Sequence, residues 1–317
     1  MEIKIKLQDY KGNLADLCSK IEWSTSISGQ CGKLNLYLQQ DPSGQLKLRN
    51  GLQVKLIVDG VGLFLGYVFK LGMDNETTYK VDCYDQLYYL KNKEVYMTQE
   101  QTASEIFTKI CTEQGFKHNV KTPTSLKLQP YLHYQKALYV IIKRGLDQHL
   151  INTKEYCFII DNFGVIEFTN VETELTDLII SDTKLALSYK YEIDISPDTF
   201  NYIKVVRNNY ETGLRDVWIT KDSYTMSKWG HLQKLVIADE TDNEEQIKLL
   251  SEQLLTLYNR ERRTLKIIAL GNINLKAGSG IILKLERLNI QQNMWIKNIT
   301  HKLEKDLHTM EMELMIV

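Results

Sequence analysis

Residues 275–283 read LKAGSGIIL, and residues 48–56, near the other end of the chain, read LRNGLQVKL. Each stretch has a Leu, a Gly three residues later, and aliphatic side chains at alternate positions after the Gly. This frame is typical of a turn that leads into a half-buried strand, and the two copies are 227 positions apart (275 minus 48). The repeat predicts one β unit used twice, with Gly51 and Gly278 at equivalent turns where positive φ favours Gly.

The strands that follow the repeat also match each other, at an offset of 231 (299 minus 68). A difference of four residues in one loop (231 minus 227) reconciles the two offsets. The alignment pairs the following residues: Trp295 with Phe64, Ile299 with Val68, Met310 with Tyr79, Met312 with Val81, and Leu314 with Cys83. We therefore expect the two regions to share one strand order, with Leu48 equivalent to Leu275.

Length and composition indicate a globular chain of more than one domain. The 317 residues exceed one ordinary hydrophobic core, and 43% of them are hydrophobic and 25% charged. No apolar run reaches the ~18 residues needed to span a bilayer. The first residues, MEIKIK, alternate like a strand and do not read as a signal peptide.

The charge balance argues against nucleic-acid or membrane partners. The net charge is -1, from 39 basic and 40 acidic residues that are mixed along the chain. A phosphate backbone or an anionic lipid surface attracts concentrated positive charge, which this sequence lacks. The five cysteines are widely spaced, with no Cys-x-x-Cys, and we expect reduced, mostly buried thiols in a protein folded in the cytoplasm.

Residues 1–96 are predicted to form a first small β-barrel. Apolar residues alternate in the stretches 34–38, 54–58 and 79–83, and Asp59-Gly60 is a tight hairpin signal. A second turn is expected at 74–77. Short strands on close turns of this kind suit a barrel or sandwich.

Residues 97–186 are predicted to be an α+β insert. Thr102-Ala-Ser-Glu105 is a capping box that opens an amphipathic helix, and Gly115 closes that helix. A second helix is expected at about 136–149. Residues 156–168 then read as a hairpin with its turn at Gly164.

Residues 187–317 are predicted to form the second β-barrel, interrupted by a long helix at about 242–262. Thr241-Asp-Asn-Glu244 reads as the capping box of that helix, with acidic residues in its first turn and arginines after its end. In the last strand Met310, Met312, Leu314 and Ile316 share one apolar face, which should pack inside the barrel against 295–299. The fold class predicted for the whole chain is α+β, with two similar antiparallel barrels.

The search for catalytic or ligand-binding motifs is negative. The sequence has no Gly-x-Ser-x-Gly elbow, Walker loop, dinucleotide-binding glycine motif or His-Glu-x-x-His. His301, Glu304 and His308 are the nearest approach to a metal set, but a solvated loop around a hairpin turn is the favoured reading. We therefore assign no catalytic, cofactor-binding or metal-binding residue and expect no enzymatic activity.

Three further patterns have ordinary structural readings. The acidic stretch 239–245 lacks the Gly and the closing Glu of a calcium loop, and acids at a helix start explain it. His149 and Cys157, a conceivable nucleophilic pair, read better as core or rim residues. Four dispersed tryptophans suit core or subunit-interface positions better than a stacking platform; they are Trp23, Trp218, Trp229 and Trp295.

Several segments, taken together in this order, resemble the baseplate hub proteins of contractile-tailed phages. They are CYDQLYYL at 83–90, TASEIF at 102–107, MWIKNITH at 294–301 and HTMEM at 308–312. The closest likeness is to the hubs of defective prophages and phage-tail-like bacteriocins. The chain is similar, more distantly, to the late control protein D group and to the N-terminal half of type VI secretion spike proteins.

The resemblance implies a structural protein. Such hubs are homotrimers in which each subunit contributes two similar barrels, so that three chains adapt a hexameric tail tube to a trimeric central spike. The implied partners are the tube protein, the spike protein and other baseplate proteins, without specific nucleic-acid binding or membrane insertion. The implied location is the baseplate of a tail particle assembled in the bacterial cytoplasm. A tail-associated cell-wall hydrolase and a carbohydrate- or receptor-binding β module stay open as alternatives.

Overall fold

The computed structural model describes residues 1–74, 78–181, 186–209, 213–238, 243–304 and 307–316. The described chain is α+β with strand as its main component, as predicted. Its strands are β1 (Ile3–Leu7), β2 (Cys18–Ser26), β3 (Lys33–Gln39), β4 (Gln53–Val58), β5 (Val61–Asp74), β6 (Thr78–Tyr84), β7 (Lys93–Thr98), β8 (Gln101–Thr102), β9 (His118–Val120), β10 (Lys127–Leu128), β11 (Tyr131–Ala137), β12 (Cys157–Asn162), β13 (Val165–Asn170), β14 (Leu175–Ser181), β15 (Ala186–Asp194), β16 (Tyr202–Asn209), β17 (Leu214–Lys221), β18 (Gln233–Ile237), β19 (Arg262–Leu270), β20 (Gly280–Leu285), β21 (Ile290–Glu304) and β22 (Leu307–Met315). Its α-helices are α1 (Ala103–Glu113), α2 (Leu138–Thr153), α3 (Ser223–Trp229) and α4 (Glu244–Tyr258).

The first six strands form one set with the spatial order β1-β4-β5-β6-β3-β2. Their alternating apolar residues face a common core, in which Leu34, Leu36 and Leu38 are fully buried. Asp59 and Gly60 both take positive φ, 47° and 83°, in the tight turn between β4 and β5. This hairpin is therefore as predicted, whereas the turn expected at 74–77 lies largely outside the described residues.

A second set of six strands repeats that order. It consists of β14, β15 and β19 to β22, arranged as β14-β20-β21-β22-β19-β15. When the strands of each set are numbered in chain order, both sets read 1-4-5-6-3-2. One difference is the direction of the first strand, since β1 is antiparallel to β4 whereas β14 is parallel to β20. The shared order is the one that the predicted duplication requires, whereas the parallel pairing of β14 with β20 corrects the prediction that both sets are antiparallel throughout.

The repeated glycines occupy equivalent turns. Gly51 donates its N–H to the carbonyl of Val68 at 2.8 Å, and Gly278 donates to the carbonyl of Ile296 at 2.7 Å. Both glycines have positive φ, 86° and 92°, where a side chain is strained. The ladder has an irregularity directly after Val68 and directly after Ile296.

These bonds correct the alignment of the middle strand. The counterpart of Val68 is Ile296, an offset of 228 (296 minus 68), and not Ile299. Trp295 accordingly matches Tyr67 and not Phe64. Trp295 lies opposite the first residue of β20, and Tyr67 lies opposite the first residue of β4. The final strands do keep the offset of 231, because Cys83 lies opposite Val68 and Leu314 lies opposite Ile296. One of the four extra residues (228 minus 227) lies before this strand, as predicted, and the other three (231 minus 228) lie after it. The sequence pattern places all four before the strand because alternating apolar residues look alike at several registers.

Hydrogen bonding joins the two sets into one 12-stranded sheet among the described residues. The connection is an antiparallel pairing of β2 with β21, from Ile21 opposite Leu303 to Ser26 opposite Asn298. The closure of each set into a barrel stays a prediction.

The segment between the two sets contains the predicted helices and hairpin. Thr102 and Glu105 form the predicted capping box of α1, and Gly115, with φ of 70°, follows its C-cap. The predicted second helix begins at Leu138 and ends at Thr153, four residues later than expected. β12 and β13 form the predicted hairpin around Gly164. One core cluster packs this segment: Cys31, Leu87, Leu90, Tyr96, Ala103, Ile106, Phe107, Ile110, Cys111, Leu128, Leu138, Ile141, Ile142, Leu146, Cys157, Ile159, Ile166 and Phe168.

Residues 151–154 and 191–264 make up a separate compact unit. Its three-stranded sheet, β17-β16-β18, packs Ile203 and Val205 against Ile247 and Leu254 of α4. The predicted long helix is thus present, at Glu244–Tyr258.

The capping box of α4 differs from the predicted one. It consists of Asn243 and Gln246, whose side chains each accept the other residue's backbone N–H. Of the predicted box, Thr241 and Asp242 lie outside the described residues. The division into domains 1–96, 97–186 and 187–317 stays a prediction, although β14, inside the middle range, belongs to the second set of strands by its pairing.

Candidate functional site

His301 and His308, the two histidines of the nearest approach to a metal set in the sequence, form a buried hydrogen-bonded chain where the two sets meet. His301, on β21, is fully buried, and His308 is on β22. His301 Nε2–H donates to the carbonyl of Leu275 at 2.9 Å, so His301 Nδ1 accepts from His308 Nε2–H at 3.0 Å. The Trp23 ring of β2 stacks on His301, with centroids 4.9 Å apart. The solvated loop predicted here is wrong, because 301–304 continues the strand and β2 covers His301.

This chain of bonds fixes His301 in its neutral form. Burial lowers the pKa of His301 to about 4, and burial also lowers the pKa of His308. Both His301 ring nitrogens are engaged by protein groups, and Glu304 is exposed. Within the described part of the chain there is no group of three His, Cys, Asp or Glu side chains able to hold a metal ion. The junction is therefore built for packing between β2 and β21.

His149 and Cys157 are both buried but lie on different elements, α2 and β12. His149 Nε2 contacts Glu155 at 3.0 Å. Burial raises the pKa of the Cys157 thiol to about 12. A thiol protonated at neutral pH is a poor nucleophile, so these contacts support the core reading of the pair. The five cysteines are free thiols and four of them are buried, as predicted.

A buried carboxylate pair was missed by the sequence reasoning. Asp85, within the quoted segment 83–90, accepts the N–H of Gly32 at 2.7 Å and of Leu87 at 3.0 Å. Asp161 accepts the N–H of Gly164 and the side-chain amide of Gln86, both at 2.8 Å. Burial, and for Asp85 the neighbouring Asp161, raise both pKa values, that of Asp161 to about 6. A signal was present, since Asp85 precedes a short helical turn as a capping residue does.

The carboxylate pair positions loops. Asp85 accepts two backbone N–H groups and Asp161 accepts one. Gly32 comes so close that a Cβ there would lie 2.5 Å from Asp85 Oδ2. The pair holds the β2–β3 loop and the β12–β13 turn beside residues 85–87.

The other singled-out residues have structural positions. Trp23 is buried, and Trp295 donates its indole N–H to the carbonyl of Val171 at 2.8 Å. Trp218 lies in β17 under the guanidinium of Arg207. In the acidic stretch, 239–242 lies outside the described residues, while Glu244 and Glu245 occupy the first turn of α4.

Among the described residues, the 12-stranded sheet ends at β1, β14 and β15, each of which pairs with a single strand, and part of β5 has a further open edge. The strand order ends at β15, which neighbours β19 on one side. Among the described residues, the half of β5 at 70–74 pairs with β6 alone, because β4 covers only the half before residue 68. Unpaired strand edges are sites where another chain adds a strand. The edge of β15 and the edge of β5 at 70–74 are therefore candidate assembly sites.

A sequence model of the YQBQ-like family matches residues 21–315, which include all the described strands except β1 and the first three residues of β2. The chain belongs to the YQBQ-like family.

Two Bacillus subtilis (strain 168) proteins are similar to this YQBQ-like chain. The protein called "Uncharacterized protein YqbQ" is 24% identical over 258 residues, and "Phage-like element PBSX protein XkdQ" is 23% identical over 258 residues. Each match covers 80% of this chain and 78% of the relative.

Solved structures share the fold over nearly the whole chain. A 43 kDa tail protein of prophage MuSo2 from Shewanella oneidensis has a TM-score of 0.74 at 13% identity, covering 99% of this chain and 98% of that one. The E. coli c3393 protein, described as a type VI secretion component similar to T4 tail proteins gp27 and gp5, has a TM-score of 0.60 at 11% identity, covering 99% and 77%. These matches confirm the coarser part of the fold prediction, an α+β chain made mostly of strands and similar in fold to a prophage tail protein.

No helix in the described part of this YQBQ-like chain combines the length and the apolar character needed to cross a bilayer.

Proposed function

We propose that this protein is a structural baseplate hub of a contractile tail. It acts as a homotrimer that adapts a hexameric tail tube to a trimeric central spike, and it contacts other baseplate proteins as well. The observation that carries the proposal is the duplicated strand order, 1-4-5-6-3-2 in both sets. Three chains with two equivalent sets each present six similar units to a six-fold tube while keeping three-fold symmetry for the spike.

The comparisons support this role. The similar B. subtilis protein XkdQ carries the name of a phage-like element, and the similar Shewanella structure is a prophage tail protein. The location that follows is the baseplate of a tail particle assembled in the bacterial cytoplasm. The two sets of strands are each expected to close into a barrel within the trimer.

The contacts of the titratable residues favour a non-enzymatic role. The carboxylates of Asp85 and Asp161 are engaged by backbone N–H groups, and both His301 ring nitrogens are bonded within the core. Enzymes expose such groups in a cleft where substrate can reach them. These groups instead hold strands and loops together.

Imaging of the purified protein by electron microscopy tests the hub proposal. We expect a three-fold ring with six lobes, and a mass measurement that gives three chains per particle. A stable monomer or dimer at every concentration would overturn the proposal, as would a ring without six-fold pseudosymmetry.

The hydrolase alternative has a separate test. We expect no peptidoglycan hydrolysis by the parent protein, and nearly normal tail assembly after replacement of His149 or Cys157 by Ala. His301→Ala removes two buried hydrogen bonds. For that variant, hydrolysis and tail assembly are therefore compared only if the purified protein is folded. The hydrolase alternative would be favoured if the parent hydrolysed peptidoglycan and one of these changes abolished that activity without unfolding the protein.

A further inference from the structure

The two sets of strands are covered unequally at equivalent positions. On β21, the half at 298–303 pairs with β22 on one side and with β2 on the other. The offset of 228 makes Asn298 equivalent to Lys70 and Ile299 equivalent to Leu71. On β5, however, the half at 70–74 has β6 on one side and no described strand on the other. β5 therefore lacks the neighbour that β2 provides to β21.

The strand equivalent to β2 has one described neighbour in the sheet, β19. β2 and β15 are the second strands of their sets in chain order, and both contain nine residues. An end-to-end alignment has an offset of 168 (186 minus 18) and makes Trp23 equivalent to Tyr191. It also matches the alternation of the strands, because the apolar row at 187, 189, 191 and 193 then corresponds to the row that contains Ile21 and Trp23. β15 thus has the form of β2, and among the described residues no strand takes the place beside it that β21 takes beside β2.

We propose that β15 of one copy pairs antiparallel with residues 70–74 of β5 in a second copy, and so repeats between chains the pairing that β2 and β21 make within one chain. The proposal rests on the trimeric hub proposed above and names its subunit contact. Transferring the β2–β21 register places Tyr191 opposite Met73, Ile193 opposite Leu71, and Asp194 opposite Lys70.

Exposed apolar side chains mark both edges. His301 is 0% exposed beneath Trp23, whereas Met73, its equivalent on β5, is 61% exposed. Ile193 on β15 is 53% exposed. In the proposed contact Tyr191 covers Met73 as Trp23 covers His301, which removes apolar surface from water.

The charges of the proposed contact are complementary. Lys70 and Asp194 are exposed and would face each other across the two strands. The contact inside the chain has the same property, since Lys20 of β2 lies 3.1 Å from Glu304 of β21. Opposite charges across paired strands favour this register over its neighbours.

The contact is head-to-tail, since it joins the second set of one chain to the first set of the next. Such heterologous contacts close into a ring when the rotation allows it. A ring in which every set-to-set junction is alike also leaves no free β15 edge at which chains add without limit.

Disulfide cross-linking tests the register. Lys70→Cys combined with Asp194→Cys places thiols on two exposed positions that the proposal brings opposite each other, within the Cα separation of about 7 Å that a disulfide tolerates. Mild oxidation should convert most chains to covalent dimers and trimers on a denaturing, non-reducing gel. A mixture of the two single variants should give only a covalent dimer, and each single variant alone should stay uncross-linked.

Two matched variants control the experiment. Lys70→Cys with Ser188→Cys uses another exposed residue of the same β15 face, six residues or ~20 Å along the strand, and should cross-link several-fold less. Ser26→Cys with Asn298→Cys is the equivalent pair within one chain and should give an intrachain disulfide without covalent oligomers. The unaltered chain, with its five native thiols, gives the background.

The outcomes separate the contact from the trimer. A parent trimer in which the 70/194 pair cross-links no better than the 70/188 pair overturns the proposed contact and leaves the hub intact. Cross-linking of Lys70→Cys to itself also overturns it, since that requires a symmetric contact. A parent that never forms trimers overturns the hub proposal and the contact with it.

Discussion

Trp23 stacks on His301 with ring centroids 4.9 Å apart and planes within 17°, although the two residues lie 278 positions apart (301 minus 23) in the chain. One ring comes from the first set of strands and the other from the second. The pair lies in the only strand pairing described between the two sets, β2 with β21. Protonation of His301 should therefore change the stability of the junction between β2 and β21.

The stability of the junction should depend on pH through His301. Its folded pKa, about 4, is below that of a free His, because burial disfavours the charged form. The unfolded chain binds a proton that the folded chain does not, so this contribution is full above pH ~6.5 and is lost as the pH falls to about 4. We expect a loss of roughly 3 kcal/mol, which urea unfolding at several pH values would measure. His301→Gln should flatten this part of the profile, and an unchanged slope would contradict the assignment.

Gly51 and Gly278 should respond differently to the same change. Both have positive φ, so Gly→Ala strains either turn by about 1 kcal/mol. A Cβ at Gly51 meets nothing within 4 Å, whereas a Cβ at Gly278 lies 2.3 Å from Phe158 Cζ. We expect Gly278→Ala to cost about 1–3 kcal/mol more than Gly51→Ala in urea unfolding, because the aromatic ring must move. Equal losses would mean that the Phe158 ring yields freely.

The two buried carboxylates should differ in how well they tolerate an amide. Asp85 accepts two backbone N–H groups, so Asp85→Asn turns an amide donor toward one of them and should cost about 1–3 kcal/mol. Asp161→Asn keeps an acceptor for Gly164, and the Gln86 amide can rotate to accept from the new donor.

The pH dependence of the Asp161 variant supplies the measurement. A raised carboxyl pKa means that the folded chain binds more protons, so the contribution of Asp161 to stability is lost as the pH rises from about 4 to about 6. At pH 7.5 Asp161→Asn should thus be at least as stable as the parent in urea unfolding. A loss as large as that of Asp85→Asn would show that the Asp161 charge is needed.

The last described strand should be indispensable to the fold. Met310, Met312 and Leu314 are at most 1% exposed, and burial of each contributes ~1.5–3 kcal/mol. A chain ending after Thr309 should lose soluble trimer and tail assembly together, since β19 and β21 both lose their partner. A chain ending after Met315 is the control, because Ile316 is 51% exposed. A soluble trimer from the shorter chain on a calibrated sizing column would contradict this prediction.

That control also reflects a correction. The alternating pattern predicted that Ile316 would share the buried face of Met310, Met312 and Leu314, but β22 ends at Met315 and Ile316 is largely exposed. A period of two predicts a face only while pairing continues.

Elements whose causes are local can be predicted from the sequence. Asp59-Gly60 specifies its turn because both residues tolerate positive φ, and Thr102 with Glu105 specifies a helix start because the two side chains satisfy free N–H groups. The duplication was readable because each Gly had to recur at the same turn, Gly51 and Gly278.

The places where residues distant in the chain meet are set by the three-dimensional fold. The strand alignment between Val68 and Ile296 needed hydrogen bonds, because alternating aliphatic side chains fit several registers equally well. The sequence predicts a solvated His301, because no residue near it in the chain indicates that Trp23 covers it. Asp85 and Asp161 become a buried pair only when β6 and β12 are brought together. The fate of such polar groups depends on burial by remote strands, which a local pattern does not encode.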